Sequence, residues 1–204
     1  RALTQQFTYG FFYIYYKENK LSLLKDADII NPLEYLHGDI TLIGYLNYIS
    51  ELASQVYKES EEKLLFDLLI EIILKMNEGL DPEVLMNIFE IKCLPFLGVG
   101  ILLDECSKCG STKNIVTIDG DAGGLICRNC YRNERVVSIK SIKLLRLYFY
   151  IDVKSITKLD IAKENKEEID TFLNIYYRRY TGMYLKSKDF LQKLKEPPLV
   201  EKEA

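Results

Sequence analysis

The chain has 204 residues, of which 48% are hydrophobic and 28% are charged, and this ordinary globular composition can bury the core of one full domain plus something smaller. A net charge of -3 and a pI of about 5.4 argue against a uniformly basic nucleic-acid-binding protein. The sequence contains no apolar run of about 18 residues and does not begin like an export signal, so we expect a soluble, cytoplasmic protein with no membrane partner.

A β-hairpin is predicted at the beginning of the chain. Residues 8–16 (TYGFFYIYY) and 21–29 (LSLLKDADI) are typical of strands, and the polar residues 17–20 join them. Both faces of the first strand are apolar or aromatic, and an isolated two-stranded hairpin is marginally stable in water. We therefore expect it to pack against helices or against further strands before Arg1. Because Arg1 stands where a starting Met is expected, we interpret the chain as beginning inside a larger protein.

Most of the remaining chain is predicted to be helical. Apolar residues at helical spacing indicate helices over residues 40–57, 60–77, 81 to about 90, 138–150, 163–181 and 187–194. Ser60, Asp81 and Ser138 are the predicted N-terminal caps of three of these helices. Pro95 is expected to kink or end the third helix before it reaches Gly98.

Four of the five cysteines form two C-x2-C pairs with seventeen residues between them: Cys106, Cys109, Cys127 and Cys130. Two cysteines three apart on a tight turn direct both sulfurs at one ion, and two such turns complete a tetrahedron. Residues 115–118 are predicted to form a short strand between the pairs. The pattern predicts one structural Zn²⁺ in a zinc ribbon.

Other interpretations of the cysteines stay open. Two disulfides or two redox motifs would use the same residues, although the cytoplasm keeps thiols reduced and redox chemistry needs only one pair. A catalytic zinc site keeps a position open for water, whereas four cysteine ligands close the site, so we expect no enzyme activity. His37, the only histidine, is predicted to be a surface or cap residue, and Cys93 a small core residue.

Charge is unevenly distributed along the sequence. Residues 51–90 contain ten acidic and three basic residues, whereas residues 106–150 contain eight basic and three acidic residues. The part of the chain with the cysteines is therefore electropositive, although ordinary solvated helix faces also produce such runs.

Three stretches of sequence are informative together. Residues 89–92 (FEIK) precede the cysteine segment, the cysteine pairs lie in CSKCG (106–110) and GGLICRNC (123–130), and LKSKDFL (185–191) lies near the C-terminus. With the order of parts, these stretches resemble RecO, the bacterial recombination mediator family, over nearly the whole chain. The cysteine segment alone is common to many zinc proteins, and the last stretch is more specific.

The resemblance implies a mainly α fold. A helical domain (residues 31–204) would carry an inserted four-cysteine zinc ribbon (residues 104–132). Residues 1–30 would be a β-hairpin from the end of an oligonucleotide-binding (OB) barrel. The family's barrel should have several strands before Arg1, so most of its binding surface is expected to be absent here.

The resemblance also implies a function in DNA repair and homologous recombination. The family binds single-stranded DNA, promotes annealing and helps load recombinase with RecR and single-strand-binding protein, in the bacterial cytoplasm at the nucleoid and without a small-molecule substrate. An alternative stays open, in which the chain is a zinc-stabilised protein-interaction module without direct DNA binding.

Annealing requires cations that reduce the repulsion between two phosphate backbones, and it requires no covalent chemistry. The candidate DNA-binding residues are the basic residues beside the second cysteine pair, on the following helix and near the C-terminus. They are Arg128, Arg132, Arg135, Lys140, Lys143, Arg146, Arg178, Arg179, Lys186 and Lys188. Three of them are spaced three apart on one helix face: Lys140, Lys143 and Arg146. They could instead only solvate that face while four apolar residues pack inward: Ile139, Ile142, Leu145 and Phe149.

Aromatic residues alternate onto one face of the first predicted strand: Tyr9, Phe11, Tyr13 and Tyr15. In an OB barrel such a face could stack nucleobases. Burial against the helical domain is the favoured interpretation, because no lysine or arginine is interleaved with these residues before Lys17.

Overall fold

The computed structural model of the chain describes residues 5–60, 62–183 and 185–195. The start of the predicted hairpin domain (residues 1–4) and the end of the predicted helical domain (residues 196–204) therefore lie outside the described residues. The described elements follow the order β1 (Tyr9–Tyr15), β2 (Leu23–Asn31), α1 (Glu34–His37), α2 (Ile40–Ser60), α3 (Lys63–Asn77), α4 (Pro82–Cys93), β3 (Leu102–Cys106), β4 (Ile115–Asp119), β5 (Gly124–Cys127), α5 (Ile139–Tyr150), α6 (Lys163–Tyr180) and α7 (Lys186–Lys195). None of these helices combines the length and the apolar character needed to cross a membrane.

Strands β1 and β2 form the predicted antiparallel hairpin, with Phe12 opposite Ala27. The second strand begins two residues later than predicted, and the Lys17 N–H donates to Ser22 Oγ (3.2 Å) across the turn. The prediction that the aromatic face of β1 is buried against the helical domain is wrong. Phe11, Tyr13 and Tyr15 are 64%, 52% and 53% exposed, so the hairpin presents aromatic residues to solvent.

Local hydrogen bonds mark the start of α2 and the end of α3. Asp39 Oδ1 accepts from the Thr41 N–H (2.7 Å) at the start of α2. Ser60 is the last residue of α2, so the prediction that it caps α3 is wrong. After α3, Gly79 has a φ of 85°, and its N–H donates to Met76 O (3.0 Å) while the Leu80 N–H donates to Lys75 O (3.2 Å). Such paired bonds, with a glycine in the left-handed conformation, terminate a helix.

Helix α4 is the centre of the fold. Asp81 caps it by accepting from the Glu83 N–H (2.9 Å), and the helix ends at Cys93, two residues before Pro95, as predicted. A 3-10 turn (Leu94–Leu97) follows and stops at Gly98, which has a φ of 69°. Most α4 residues are buried, and this pattern is typical of a helix enclosed by neighbours on all sides. Cys93 is among the buried residues, as predicted.

Helices α2, α3, α5 and α6 surround α4 and share one hydrophobic core with it. Ser138 caps α5 as predicted, and Leu145 of this helix faces the core. The prediction that Ile139 also packs inward is wrong, because its side chain is 66% exposed. Helix α7 packs on α2 at Gly44, where a Cβ atom would lie 3.1 Å from Leu191 Cδ1.

A three-stranded sheet of order β3-β5-β4 lies between α4 and α5 in sequence. β5 is central, parallel to β3 and antiparallel to β4. We call residues 102–137 the cysteine element. It is joined to the helices because Ile118 and Leu125 are buried in the same core cluster as Phe172 and Leu173 of α6.

Candidate metal centre and nucleic-acid interface

The first cysteine pair lies on a tight turn at the end of β3. The Cys106 N–H donates to Ser111 O (2.9 Å), and the Gly110 N–H donates back to Cys106 O (2.8 Å). Gly110 has a φ of 73°, a left-handed conformation that glycine adopts without steric cost. The turn therefore brings Cys109 back beside Cys106.

The second pair lies on a matching turn at the end of β5. The N–H groups of Cys130 and Tyr131 both donate to Cys127 O, at 3.0 and 2.9 Å. The Arg128 N–H donates to Asn114 O (2.9 Å) and fixes this turn to the start of β4.

The two turns bring all four predicted ligands together. Their sulfur atoms lie within 4.8 Å of one another, and Cys109 Sγ is 3.6 Å from Cys127 Sγ. Four sulfurs at about 2.3 Å from one ion in a tetrahedron are about 3.8 Å apart, so the cluster has the dimensions of a metal site. All five cysteines of the chain are free thiols in the described structure, and a disulfide would require sulfurs about 2.05 Å apart.

The environment of the sulfurs favours a thiolate at Cys106 and a protonated thiol at Cys130. Burial alone would raise the pKa of Cys106, but N–H groups of Cys127, Lys108 and Cys109 bond to its sulfur and lower the pKa to about 6. The hydrogen bond with the Cys109 thiol, together with burial, raises the pKa of Cys130 to about 12. Clustered thiols cannot all ionise without a cation, so the arrangement suits a divalent ion. His37 does not belong to this cluster, since its ring contacts Leu33 O and Gln6 O.

Close contacts attach the cysteine element to α6. A Cβ atom on Gly120 would lie 2.8 Å from Ile175 Cβ, so only glycine fits without displacement. The Tyr180 hydroxyl donates to Asp121 O (2.9 Å), and the Tyr180 ring stacks on Tyr176 with 4.5 Å between centroids. Tyr176 and Tyr180 thus contribute to this junction.

Five of the predicted DNA-binding residues form an exposed set on the cysteine element and α5: Arg128, Arg132, Arg135, Lys140 and Lys143. We call this set the basic surface. None of its members is in an ion pair within the described part of the chain. Burial would raise the pKa of Glu168, but hydrogen bonds from Ser141 and Ser138 lower it, and the positive charge of Arg135 adds to this effect. The Arg132 guanidinium donates to Asn129 O (3.3 Å) and Tyr131 O (3.2 Å), and the set as a whole offers exposed positive charge to an anionic ligand.

The remaining predicted DNA-binding residues differ in their surroundings. Arg146, on the same α5 face as Lys143, binds Asp104 Oδ1 through its guanidinium (2.7 Å). Arg178 and Arg179 are exposed in the last turn of α6, and Lys186 is exposed at the start of α7. The basic residues near the C-terminus therefore lie on other elements than the basic surface.

Lys188 is a correction to the predicted set. Its Nζ donates to Glu90 Oε1 (2.5 Å) and lies 3.4 Å from Asp170 Oδ1, with only 15% of the side chain exposed. Its charge is neutralised inside the fold, so we remove it from the DNA-binding candidates. Sequence reasoning overlooked its partner Glu90. The available signal was that Glu90 is an acidic residue within the apolar stretch of α4.

Thr117 is a second residue that sequence reasoning missed. Its hydroxyl, buried on β4, donates to Arg135 O (2.7 Å) and accepts from the Val137 N–H (3.0 Å). These bonds hold the segment that carries Arg135 against the sheet. A threonine in an alternating strand gives no sign of this role in the sequence.

Comparison with known proteins agrees with the resemblance of the sequence. A family model described as "Recombination protein O C terminal" matches residues 37–189. The DNA repair protein RecO of Listeria monocytogenes serotype 4b (strain CLIP80459) is 33% identical over 197 residues, which cover 95% of this chain and 77% of the relative. The proteins of the same name from Halalkalibacterium halodurans and Bacillus pumilus are each 32% identical over the same shares. The chain therefore belongs to the RecO family of DNA repair proteins.

Proposed function

We propose that this chain binds single-stranded DNA and promotes the annealing of complementary strands as a non-enzymatic mediator of recombination. The observation that carries the proposal is the basic surface, five exposed cations without ion-pair partners in the described structure, within a protein whose net charge is -3. Exposed cations neutralise phosphates and allow two strands to approach each other. As implied by the family resemblance, RecR and single-strand-binding protein would be its partners in loading recombinase.

The proposed role of the cysteines is to hold a structural Zn²⁺. Four thiolates complete the tetrahedral coordination of the ion and leave no position for water, so the ion would supply stability rather than catalysis. The Cys127 N–H lies 3.4 Å from Cys106 Sγ and would stabilise that thiolate as a ligand. Because Arg128 and Arg132 flank Cys130 in the sequence, the site would also fix the backbone from which these arginines project.

We further propose that the hairpin is the end of an OB barrel, followed by the helical domain from residue 31. Its solvent-exposed aromatic face supports this proposal, because such a face requires either further strands or a ligand to cover it. In an OB barrel this face could also stack bases.

The test of DNA binding is fluorescence anisotropy with a labelled oligothymidylate. For five phosphate contacts, the logarithm of the binding constant is expected to fall with the logarithm of salt concentration with a slope of about -3.5. The triple variant Arg135→Ala, Lys140→Ala, Lys143→Ala should bind at least about tenfold more weakly and reduce the slope to about -1.5.

A matched control keeps the same change of net charge. The triple variant Lys154→Ala, Lys158→Ala, Lys163→Ala removes three lysines that are 69%, 81% and 82% exposed outside the basic surface. Its affinity and salt slope should equal those of the wild type. Equal weakening in both triple variants would show that only net charge matters, and an absence of binding at low salt would contradict the proposal.

A second function is favoured by a separate observation. A groove of about 480 Å³ between α2 and α3 is lined mainly by apolar residues that include Tyr57 and Phe66, which are 49% and 53% exposed. Such a groove on the acidic part of the chain suits a protein partner, as in a zinc-stabilised interaction module. Affinity capture that yields protein partners and no nucleic acid would favour this function over DNA binding.

A further inference from the structure

A second cleft, also of about 480 Å³, lies on the cysteine element. It is lined by Val116, Arg128, Tyr131 and Val136. Val136 is 63% exposed, the Arg128 side chain is exposed and Tyr131 is partly exposed, so the cleft opens to solvent. The metal site does not use any of these four side chains.

The walls of this cleft are anchored to β4. The Arg128 N–H is bonded to Asn114 O at the start of the strand (2.9 Å). On the other side, the Thr117 hydroxyl holds both neighbours of Val136 through Arg135 O (2.7 Å) and the Val137 N–H (3.0 Å). Because the backbone of both walls is fixed by the sheet, the cleft is preorganised for a ligand.

The chemistry of the walls suits a flat, weakly polar group. Two valines supply apolar surface, the Tyr131 ring supplies an aromatic face, and the Arg128 guanidinium is a plane that stacks on aromatic systems. A nucleobase has this shape and stacks on such groups regardless of its sequence identity.

The surroundings of the cleft are cationic. Arg132 follows Tyr131 and Arg135 precedes Val136, so each wall carries a positive charge beside it. Glu134 is the only acidic residue in the sequence between Leu125 and Lys140, and its carboxylate accepts from Lys108 Nζ and from the Arg132 N–H. An apolar peptide side chain would fill the cleft without using the arginines, whereas a nucleotide uses both parts.

We propose that this cleft holds one unpaired nucleobase of single-stranded DNA. Tyr131 and Arg128 stack on the base, and Arg132 and Arg135 contact the phosphates on either side of it. The inference rests on the proposed DNA binding and adds a specific base-binding position to a surface otherwise described only by its charge.

The test compares a short labelled oligothymidylate with an oligonucleotide of equal length that carries abasic residues. Tyr131→Leu is expected to weaken binding of the intact oligonucleotide about 5- to 10-fold, because it removes a stacking partner. It should leave binding of the abasic oligonucleotide unchanged. Tyr131→Phe keeps the ring and should stay within about twofold of the wild type on both.

Two further variants complete the design. Tyr35→Leu makes the same substitution at an exposed tyrosine on α1 and should bind both oligonucleotides like the wild type. Arg128→Lys keeps the charge and removes the plane, so it should weaken binding of the intact oligonucleotide at an unchanged salt slope. If Tyr131→Leu, which lies next to Cys130, disturbs the fold or the metal content, the Arg128→Lys variant still tests whether the cleft binds a base.

The outcomes separate this inference from the proposed function. If the wild type binds single-stranded DNA but Tyr131→Leu and Arg128→Lys bind as tightly, the base-binding cleft is refuted and DNA binding stands. Equal losses on intact and abasic oligonucleotides would show that these residues act on the backbone, which also refutes the cleft. A wild type that binds neither oligonucleotide refutes both proposals.

Discussion

Glu90 is a carboxylate in the middle of the most buried helix, and its neighbours determine what it contributes. It is 0% exposed, and its Oε1 accepts from Lys188 Nζ and from the Tyr48 hydroxyl. Burial raises the pKa of Glu90, and the positive charge of Lys188 acts in the opposite direction. Burial alone would lower the pKa of Lys188, but Glu90 and Asp170 raise it. The pair thus fastens α7 to α4 through a largely buried ion pair.

Replacing Lys188 by Met should destabilise the protein in a pH-dependent way. At pH 8 the loss in the free energy of unfolding should be about 3 kcal/mol or more, because a buried carboxylate loses its partner. The pKa of Glu90 in the folded state, already above its unfolded value, then rises further. Protonation therefore stabilises the folded variant at low pH, and this contribution is lost as the pH rises through the folded pKa. The loss should be smaller at pH 5, as urea unfolding at both pH values will measure.

Lys186→Met is the matched control for this prediction. Lys186 is exposed on the same helix, two residues from Lys188, and its replacement should change stability by less than about 0.5 kcal/mol at either pH. A loss in Lys188→Met that does not depend on pH would contradict the assigned role of Glu90.

The residue scale also shows what sequence could predict about the site. The four cysteines reveal their role through local spacing, so their clustering within 4.8 Å was predictable. The role of a lysine depends on its partner, and Glu90 lies 98 positions away from Lys188 in the sequence. Thus Lys188 looked like a surface cation although it belongs to the core.

At the scale of elements, the junction between the cysteine element and α6 depends on close packing. Gly120 lies where a Cβ atom would be 2.8 Å from Ile175 Cβ and 3.0 Å from Phe172 O. The second contact is with backbone, which cannot rotate away as a side chain can. The junction therefore tolerates no added atom without a shift of the sheet or of α6.

Gly120→Ala should lower the free energy of unfolding by about 1 to 3 kcal/mol, because overpacking forces neighbouring groups to move. Urea unfolding measures the change, and zinc content should stay that of the wild type since the cysteine turns are not touched. Gly100→Ala is the control. A Cβ atom there meets nothing within 4 Å, so this substitution should be neutral or slightly stabilising. Equal stability of Gly120→Ala and Gly100→Ala would refute the close junction.

Elements marked by local chemistry were predictable, and the others were not. Asp81 with Pro82, and Ser138, correctly located the starts of α4 and α5. Ser60 misled because α2 continues as far as Ser60, its last residue. Strand β3 was missed because it forms by parallel pairing with β5, a contact between distant segments.

At the scale of the whole molecule, the proposed metal site and the helical body are joined by one hydrophobic core. The core cluster that contains the α2 and α4 side chains also contains Ile118 and Leu125 of the cysteine element. The same element carries the arginines of the basic surface. Loss of the ion should therefore reduce global stability and DNA binding together, while helices packed on α4 retain their structure.

Cys127→Ser tests this dependence on the metal. Elemental analysis should show about one Zn²⁺ per wild-type chain and markedly less in the variant, because one thiolate ligand is lost. Tm should fall by about 6 to 12 °C, since a loss of about 3 kcal/mol shifts a protein of this size by about 2 to 4 °C per kcal/mol. Circular dichroism at 20 °C should show most of the helical signal retained, and oligothymidylate affinity should fall about tenfold because Arg128 and Arg132 lose their fixed backbone.

Cys93→Ala separates the loss of a metal ligand from the loss of a cysteine. Cys93 is buried in α4 and its thiol is not part of the sulfur cluster, so the variant should lose some stability to a small cavity. Its zinc content and its affinity for DNA should equal those of the wild type. Unchanged zinc content in Cys127→Ser would contradict the metal site, and full DNA affinity after zinc loss would show that the basic surface keeps its shape without the ion.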